Sequence, residues 1–424
     1  ITYYWPPSGG SGVQRWLKFS KYLPQYGWRP VIYTPDNPDF SLTDDLLLNQ
    51  VPKEAEIIKQ PIWEPYSVYR NLSGKKKSDH HSAGIVEKEK GKISTKIANW
   101  VRGNLFVPDP KVFWRKPSVN FLKDYLKKNP VDAIVSTGPP HSMHLIAVDL
   151  KQIFSHIPWI ADFRDPWSEL DMLKSYHIHP WVFKKYRKME KEVLQNCDLC
   201  LTVSKVWAKD FKRLGAKKTE VITNGYDEDD FKYEEKPYSD FVIAHFGLLN
   251  HLRNPTLLWK ALNELCSENE LFNQKLKIHL GGTIATDCLN EIYQNEHLKN
   301  KVKVFPYLSH EEVIKEYLKS SVLLLLLFNS KSGKGNIPGK LFEYIASQKP
   351  ILGFGSDYGD SAEIIEQYPN GRYFTYDSKD TKDLKDVLLE TNKNPEVEKD
   401  LYNFKNFSRE GLTNLLVNTI EQIK

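Results

Sequence analysis

Short apolar runs alternate with longer stretches of helical spacing along nearly the whole chain. In the first half, residues 1–4, 30–34, 132–136, 159–162, 199–203 and 220–223 have the length and apolar character of strands. Between them, 13–26, 141–154, 181–196 and 205–214 carry spaced apolar positions that predict helices. The second half repeats the alternation. Its strands are expected at 241–246, 275–280, 302–305, 322–328 and 351–354, with helices at 255–268, 309–320, 338–347, 359–367 and 379–390. Strand and helix in alternation require crossover connections, so the pattern predicts an α/β protein with parallel sheets covered on both faces. Residues 227–240 interrupt it, polar and acidic with no apolar period, and suit a linker. Two doubly wound domains separated near 224–237 follow, and such sheets bind ligands at the carboxyl ends of their strands.

Composition narrows this picture. Of 424 residues, 40% are hydrophobic and 12% aromatic, which excludes a disordered chain, and 22 Gly with 25 Pro show no collagen-like period. The longest apolar run, 322–328, is far short of the roughly 18 residues that cross a bilayer. The chain opens at Ile1 inside an apolar segment, which leaves room for a true N-terminus upstream. Four cysteines make no disulfide framework and fit a reducing, cytoplasmic setting. Cys197 and Cys200 form a C-x-x-C, but in a strand that spacing sends the thiols to opposite faces, and no second pair stands at metal spacing.

Net charge is +5, and most of the excess sits in 74–96, where seven lysines face three acids. The following 97–107 mixes apolar and basic residues. One reading of 74–107 is a solvated surface loop; the other is peripheral contact with an anionic membrane. Nucleic acid is disfavoured because no binding module accompanies the charge.

Four segments at expected strand ends could hold chemistry. Gly9, Gly10 and Gly12 lie between the first strand and a helix, where backbone N–H groups can approach a phosphate or sugar, although a tight turn would look the same. After the buried strand, Gly333-Lys-Gly-Asn-Ile-Pro-Gly-Lys-Leu-Phe-Glu343 places Pro338 in a first helical turn. There the N–H groups near Gly339 and Lys340, with the lysine charge, would aim at a phosphate, and Glu343 could accept sugar hydroxyl protons one turn on. Where the second domain's first strand ends, at Gly247, Arg253 offers a planar fork for diphosphate. In the first domain, Asp162, Arg164 and Asp165 follow one strand, and Ser136-Thr-Gly-Pro-Pro-His141 follows another, with His144 beyond. An internal salt bridge and packing histidines are the plainer readings of these last two.

Taken together, in this order and spacing, these segments resemble the retaining, nucleotide-sugar-dependent glycosyltransferases of family 4. The likeness extends to Asn224-Gly-Tyr-Asp227 and Lys349-Pro-Ile-Leu352 and covers nearly the whole chain. It implies the GT-B fold, two Rossmann-like domains facing across a cleft. Residues 1–224 would bind the acceptor and 237–403 the nucleotide sugar, with the last helix, in 404–424, crossing back onto the first domain. Carried over position by position, Arg253 contacts the donor diphosphate and Glu343 holds the donor ribose. Gly10, Gly12, Gly247, Asn336, Ile337, Pro338, Gly339, Lys340 and Leu341 line the donor. His141, with His144 second, lies near the reacting sugar, Asp162 and Asp165 orient the acceptor hydroxyl, and Arg164 between them completes the catalytic set. The sequence departs from the family at two places. Gly335 stands where the first glutamate of E-x7-E falls, and Leu248 stands where an arginine is frequent. The resemblance implies no metal and no cofactor, the nucleotide sugar being a substrate, and an acceptor that is a glycan or lipid-linked glycan of surface-polysaccharide type. A nucleotide-sugar 2-epimerase and a non-catalytic subunit of the same fold are the alternatives.

Overall fold

The computed structural model describes residues 1–40, 42–65, 93–329, 331–394 and 404–424. They form two units, residues 1–223 with 409–424 and residues 224–408. In the first, β1 (Val31–Pro35) pairs in parallel with β2 (Glu56–Gln60), and β3 (Ile134–Gly138), β4 (Trp159–Phe163), β5 (Leu199–Thr202) and β6 (Thr219–Val221) form a second parallel sheet in that order. The extended opening residues join the two. Thr2 N donates to Tyr33 O at 3.0 Å, and Ile1 O accepts from Thr137 N at 3.2 Å. The expected first strand therefore lies between β1 and β3, although its few ladder bonds fall short of a regular strand. Strand order reverses at that central segment, and the loops that follow it and β3 open at the reversal.

Helices α1 (Ser11–Tyr22), α2 (Ile93–Leu105), α3 (Arg115–Lys128), α4 (Ser142–Ile153), α5 (Pro180–Asn196) and α6 (Lys205–Leu214) belong to this unit. Two caps explain where α4 and α6 begin. Asp109 accepts from Ser142 N at 2.9 Å and from Ser142 Oγ at 2.7 Å, and Ser204 Oγ accepts from Trp207 N at 3.1 Å. The fully buried Trp159, Phe163, Leu145 and Val193 sit in the core between sheet and helices. Of the basic stretch, 74–92 lie outside the described residues; α2 begins just after it.

The second unit holds β7 (Phe241–Leu249), α7 (Thr256–Glu268), α8 (Glu270–Lys275), β8 (Leu276–Ile284), α9 (Thr286–Gln294), β9 (Val302–Val304), α10 (His310–Lys319), β10 (Val322–Leu326), α11 (Gly339–Ser347), β11 (Ile351–Gly355), α12 (Asp360–Gln367), β12 (Gly371–Thr375) and α13 (Lys382–Lys393). Its six strands run parallel in the order β12-β11-β10-β7-β8-β9, so the reversal falls between β10 and β7. All five side chains of β10 are buried, as a central strand covered on both faces requires. β7 does not end at Gly247 as expected: it continues to Leu249 and stays paired with β8 as far as Ile284.

The chain passes between the units twice, and the two crossings are tied together by Tyr226 N donating to Phe407 O at 3.0 Å. The last helix, α14 (Arg409–Glu421), belongs to the first unit. Leu412, Leu416 and Ile420, one turn apart, bury against Phe19, Ile160, Leu199, Leu201 and Ile222. No described helix is long and apolar enough to cross a membrane.

Candidate functional site

Each unit gathers its sequence-predicted residues at its own strand-order reversal, the place where open parallel sheets bind ligands. In the first unit, Gly10 (φ +81°) turns the chain into α1, a conformation that glycine adopts without strain. Gly10 and Ser11 are exposed, so the first N–H groups of α1 open outward. Gly12 lies within the first turn, and its carbonyl accepts from Arg164 Nη1 at 2.7 Å.

The expected catalytic set divides sharply. Asp162 is fully buried, and its oxygens accept from Trp16 Nε1 at 2.7 Å, Thr137 Oγ1 at 2.8 Å and Arg15 Nε at 3.2 Å. A second Arg15 nitrogen lies 3.1 Å away. With these partners in a closed core, it has no oxygen to offer an acceptor; it is an internal tie between α1, β3 and β4, which corrects the expectation. Arg164 is likewise committed to carbonyls. Besides Gly12 it donates to Gly138 O at 3.3 Å and to Pro139 O, so it clamps the glycine loop to the turn after β3 rather than presenting its charge to a ligand. Asp165 differs. It is half-buried, accepts no hydrogen bond among the described residues, and burial pushes its carboxyl up to about 6 against the pull of Arg164.

His141 opens α4 and stacks on Trp167, with ring centroids 4.8 Å apart and planes 4° from parallel. Burial, helped by His144 and Arg164, lowers its pKa well below the ordinary range, so the ring is neutral. Neither of its nitrogens has a hydrogen-bond partner among the described residues, and the same holds for Trp167 Nε1 and His144 Nε2. His144 packs on Phe163 at 4.4 Å, and its Nδ1 meets Ser136 Oγ at 2.8 Å. That serine also accepts from Trp159 Nε1 at 2.9 Å. His144 is packed into the core on Phe163 and Ser136 with only Nε2 unpartnered, while His141 and Trp167 leave every ring N–H or nitrogen without a hydrogen bond among the described residues.

In the second unit, Gly247 is the pivot. A Cβ there would come within 2.2 Å of Lys340 Nζ, which reaches across from the first turn of α11 to donate to Phe246 O at 2.6 Å. Lys340 thus lies over the strand beside Leu248, the position from which an arginine is missing. Burial and the nearby Arg253 bring its pKa down to about 8, with Glu343 opposing. His245, fully buried, donates Nδ1–H to Leu324 O at 2.8 Å, which leaves Nε2 as a lone pair without a partner among the described residues. That nitrogen too falls near the empty Cβ position of Gly247, at 3.2 Å. Nothing in the strand-like spacing of 241–246 set this histidine apart.

Arg253 follows a tight turn in which its own N–H donates to Asn250 O at 2.8 Å. The guanidinium carbon lies over Phe328, 3.6 Å from the ring centroid, and burial lowers its pKa to about 10, against the nearby Tyr376. Arg253 Nε is buried without a hydrogen-bond partner among the described residues. Pro338 caps α11, so the N–H groups of Gly339 and Lys340 have no intrahelical acceptor, and space beside Gly339 is open. Asn336 O accepts from Ser361 Oγ at 2.6 Å, which fixes the loop before the helix. Ile337 and Leu341 are core residues, and Leu341 N donates to Pro338 O at 3.0 Å. Those two were expected to line the donor; their side chains instead anchor the loop. Glu343 is half-buried, and its Oε1 lies 3.1 Å from His310 Nε2.

Two Rossmann-like units, each with N–H groups and polar or cationic side chains at its strand-order reversal, are the architecture of the GT-B fold. Residues 10–230 match the model of Glycosyltransferase Family 4, and residues 227–406 match that of Glycosyl transferases group 1. The chain belongs to glycosyltransferase family 4. Similar solved structures include sucrose-phosphate synthase from Thermosynechococcus elongatus, 13% identical, covering 96% of this chain and 92% of that one, with a TM-score of 0.58. A UDP-forming α,α-trehalose-phosphate synthase from Burkholderia vietnamiensis is 11% identical over 88% of this chain and 87% of its own, TM-score 0.56. The lipopolysaccharide outer core galactosyltransferase WaaB is 12% identical over 92% and 89%, TM-score 0.52. At these identities the likeness is one of fold. No curated protein matches the sequence.

Proposed function

We propose that the second unit binds the nucleoside diphosphate of a nucleotide sugar and that the first unit binds the glycan or lipid-linked acceptor, the sugar being transferred with retention and without a metal. One observation carries the donor assignment. Lys340, the stacked Arg253 and the open N-terminus of α11 converge at the reversal between β7 and β10, where they would meet an anion. As the anomeric C–O bond breaks, negative charge builds on the diphosphate, and these fixed groups stabilise it without reorganising. A leaving-group oxygen takes the proton of the attacking hydroxyl, which forms its bond on the face the nucleotide departs. Asp165 and His141 orient that hydroxyl. Asp162 and Arg164 hold the loops that carry them. A UDP-forming synthase and a lipopolysaccharide galactosyltransferase among the similar structures support the leaving group and the acceptor class.

Thermal-shift titration with UDP, GDP, CMP and dTDP sugars tests this. One of them should raise the melting temperature, since a ligand at 100 times its Kd adds about 2.7 kcal/mol. The gain should shrink as pH rises through 8, because the free Lys340 ammonium loses its proton there while a bound diphosphate would hold it. No shift with any donor, or conversion of the donor sugar with no acceptor present, would count against transfer.

The membrane reading also gains support. Trp63 and Phe113, both exposed, are in edge contact at 4.8 Å, and Ile97, Trp100 and Leu105 are exposed on α2, directly after the lysine-rich stretch. We place this apolar and basic surface on the cytoplasmic face of an anionic membrane. Flotation with phosphatidylglycerol vesicles should retain the protein, and W63A with F113A should release it; equal retention of both would refute the contact.

A further inference from the structure

Sequence alone assigns nothing to Ser361, which lies inside the helix expected over 359–367. The structure sets it against the loop that leads into α11. β10 and β11 pair side by side, Leu326 beside Phe354, so the loops leaving their carboxyl ends run together. Segment 333–339, which ends the first of these loops, carries Gly333, Gly335 and Gly339, and glycines lose the most backbone freedom when a segment is fixed. Three contacts from the start of α12 hold it. A Cβ on Gly359 would strike the Lys334 backbone, 2.7 Å from its Cα, so only glycine lets the two chains approach this closely. Ser361, 2% exposed, donates from Oγ to Asn336 O at 2.6 Å. Ile337 is buried in the same apolar cluster as Ile365 of α12. Pro338 and the first N–H groups of α11 come directly after.

We infer that Ser361 is a positioning residue: through the Asn336 carbonyl it fixes the N-terminus of α11 in advance for a diphosphate. The inference rests on the diphosphate reading proposed above. Phosphate oxygens gain most from N–H groups that already point at them, and a glycine-rich loop still to be ordered would lose part of that gain when ligand arrives. A buried hydroxyl has to be partnered, so the bond from Ser361 to Asn336 persists whether or not a ligand is present. The ordering is therefore complete before the anion arrives.

Inorganic pyrophosphate, which carries the diphosphate and neither base nor sugar, is the probe, titrated by calorimetry into the full chain well below its melting temperature. There a variant that is merely less stable still binds as the wild type does. The wild type should bind it, and Lys340→Ala should weaken binding about tenfold or more. Ser361→Ala should weaken it by roughly 3–10-fold. Ser361→Thr, which keeps the hydroxyl, should bind nearly as the wild type does. Ser361→Cys, with its weaker donor, should fall between, and it takes the place of the alanine variant if that one fails to fold. If the wild type gives no binding, or Lys340→Ala binds as tightly, the diphosphate reading itself fails. If Lys340→Ala loses binding and Ser361→Ala does not, the positioning role alone fails. Equal weakening by Ser361→Ala and Ser361→Thr would show that the hydroxyl is not what acts and overturn the inference.

Discussion

Arg253→Ala should lower sugar transfer by about a hundredfold or more while the protein melts close to the wild-type temperature. The guanidinium is half-buried and pairs with no carboxylate among the described residues; it lies over the Phe328 ring at 3.6 Å. Removing it therefore uncovers an aromatic face without leaving a buried partner unpaired. In the transition state the loss is larger, because a fixed donor aimed at developing charge contributes about 3 kcal/mol. The loss should fall on kcat more than on KM, since diphosphate charge grows as the bond breaks. Arg253→Lys should restore only part of the activity, the ammonium having no plane to stack on Phe328. Steady-state kinetics on both variants decides it, and an unchanged kcat/KM for Arg253→Ala would remove the residue from the donor site.

Asp162→Ala should act on the other property. Here an oxygen-rich group accepts from Arg15, Trp16 and Thr137 inside a closed core. Deleting it leaves the Arg15 guanidinium, itself 1% exposed, as an uncompensated buried charge. Breaking such a pair costs about 3–5 kcal/mol, enough to threaten the folding of a marginally stable unit. Denaturant unfolding should show the early loss of the first unit, and soluble yield should drop. A variant that folds normally yet fails to transfer sugar would reverse the correction and return Asp162 to the catalytic set.

The contrast between these two residues shows what the chain discloses before its coordinates are known. Alternating strand and helix patterns gave both sheets, because burial on two faces writes continuous apolar runs such as Val322–Leu326. Edge strands were harder. In Glu56–Gln60, Glu56, Lys59 and Gln60 surround two isoleucines, and Gly371–Thr375 is only partly buried, so neither produces a run. Lys340 and Arg253 were legible because helix starts and strand ends announce themselves through proline, glycine and asparagine. The fate of Asp162 was not legible, since its partners Arg15 and Trp16 are about 146 residues away and only the fold brings them together. Ser361 and Trp167 were missed for the same reason. Each gains meaning from a neighbour on another element, Asn336 for one and His141 for the other.

Because α14 completes the first unit from beyond the second, the ribosome delivers the two in an unusual order. When residue 223 has emerged, the surface formed by Phe19, Leu199, Leu201 and Ile222 still lacks Leu412, Leu416 and Ile420, which are synthesised nearly two hundred residues later. The second unit can therefore reach its native state on the ribosome first, while the earlier-made portion waits with a greasy flank open to chaperones. A premature stop codon near residue 408 would spare the later-made half and cripple the one translated first.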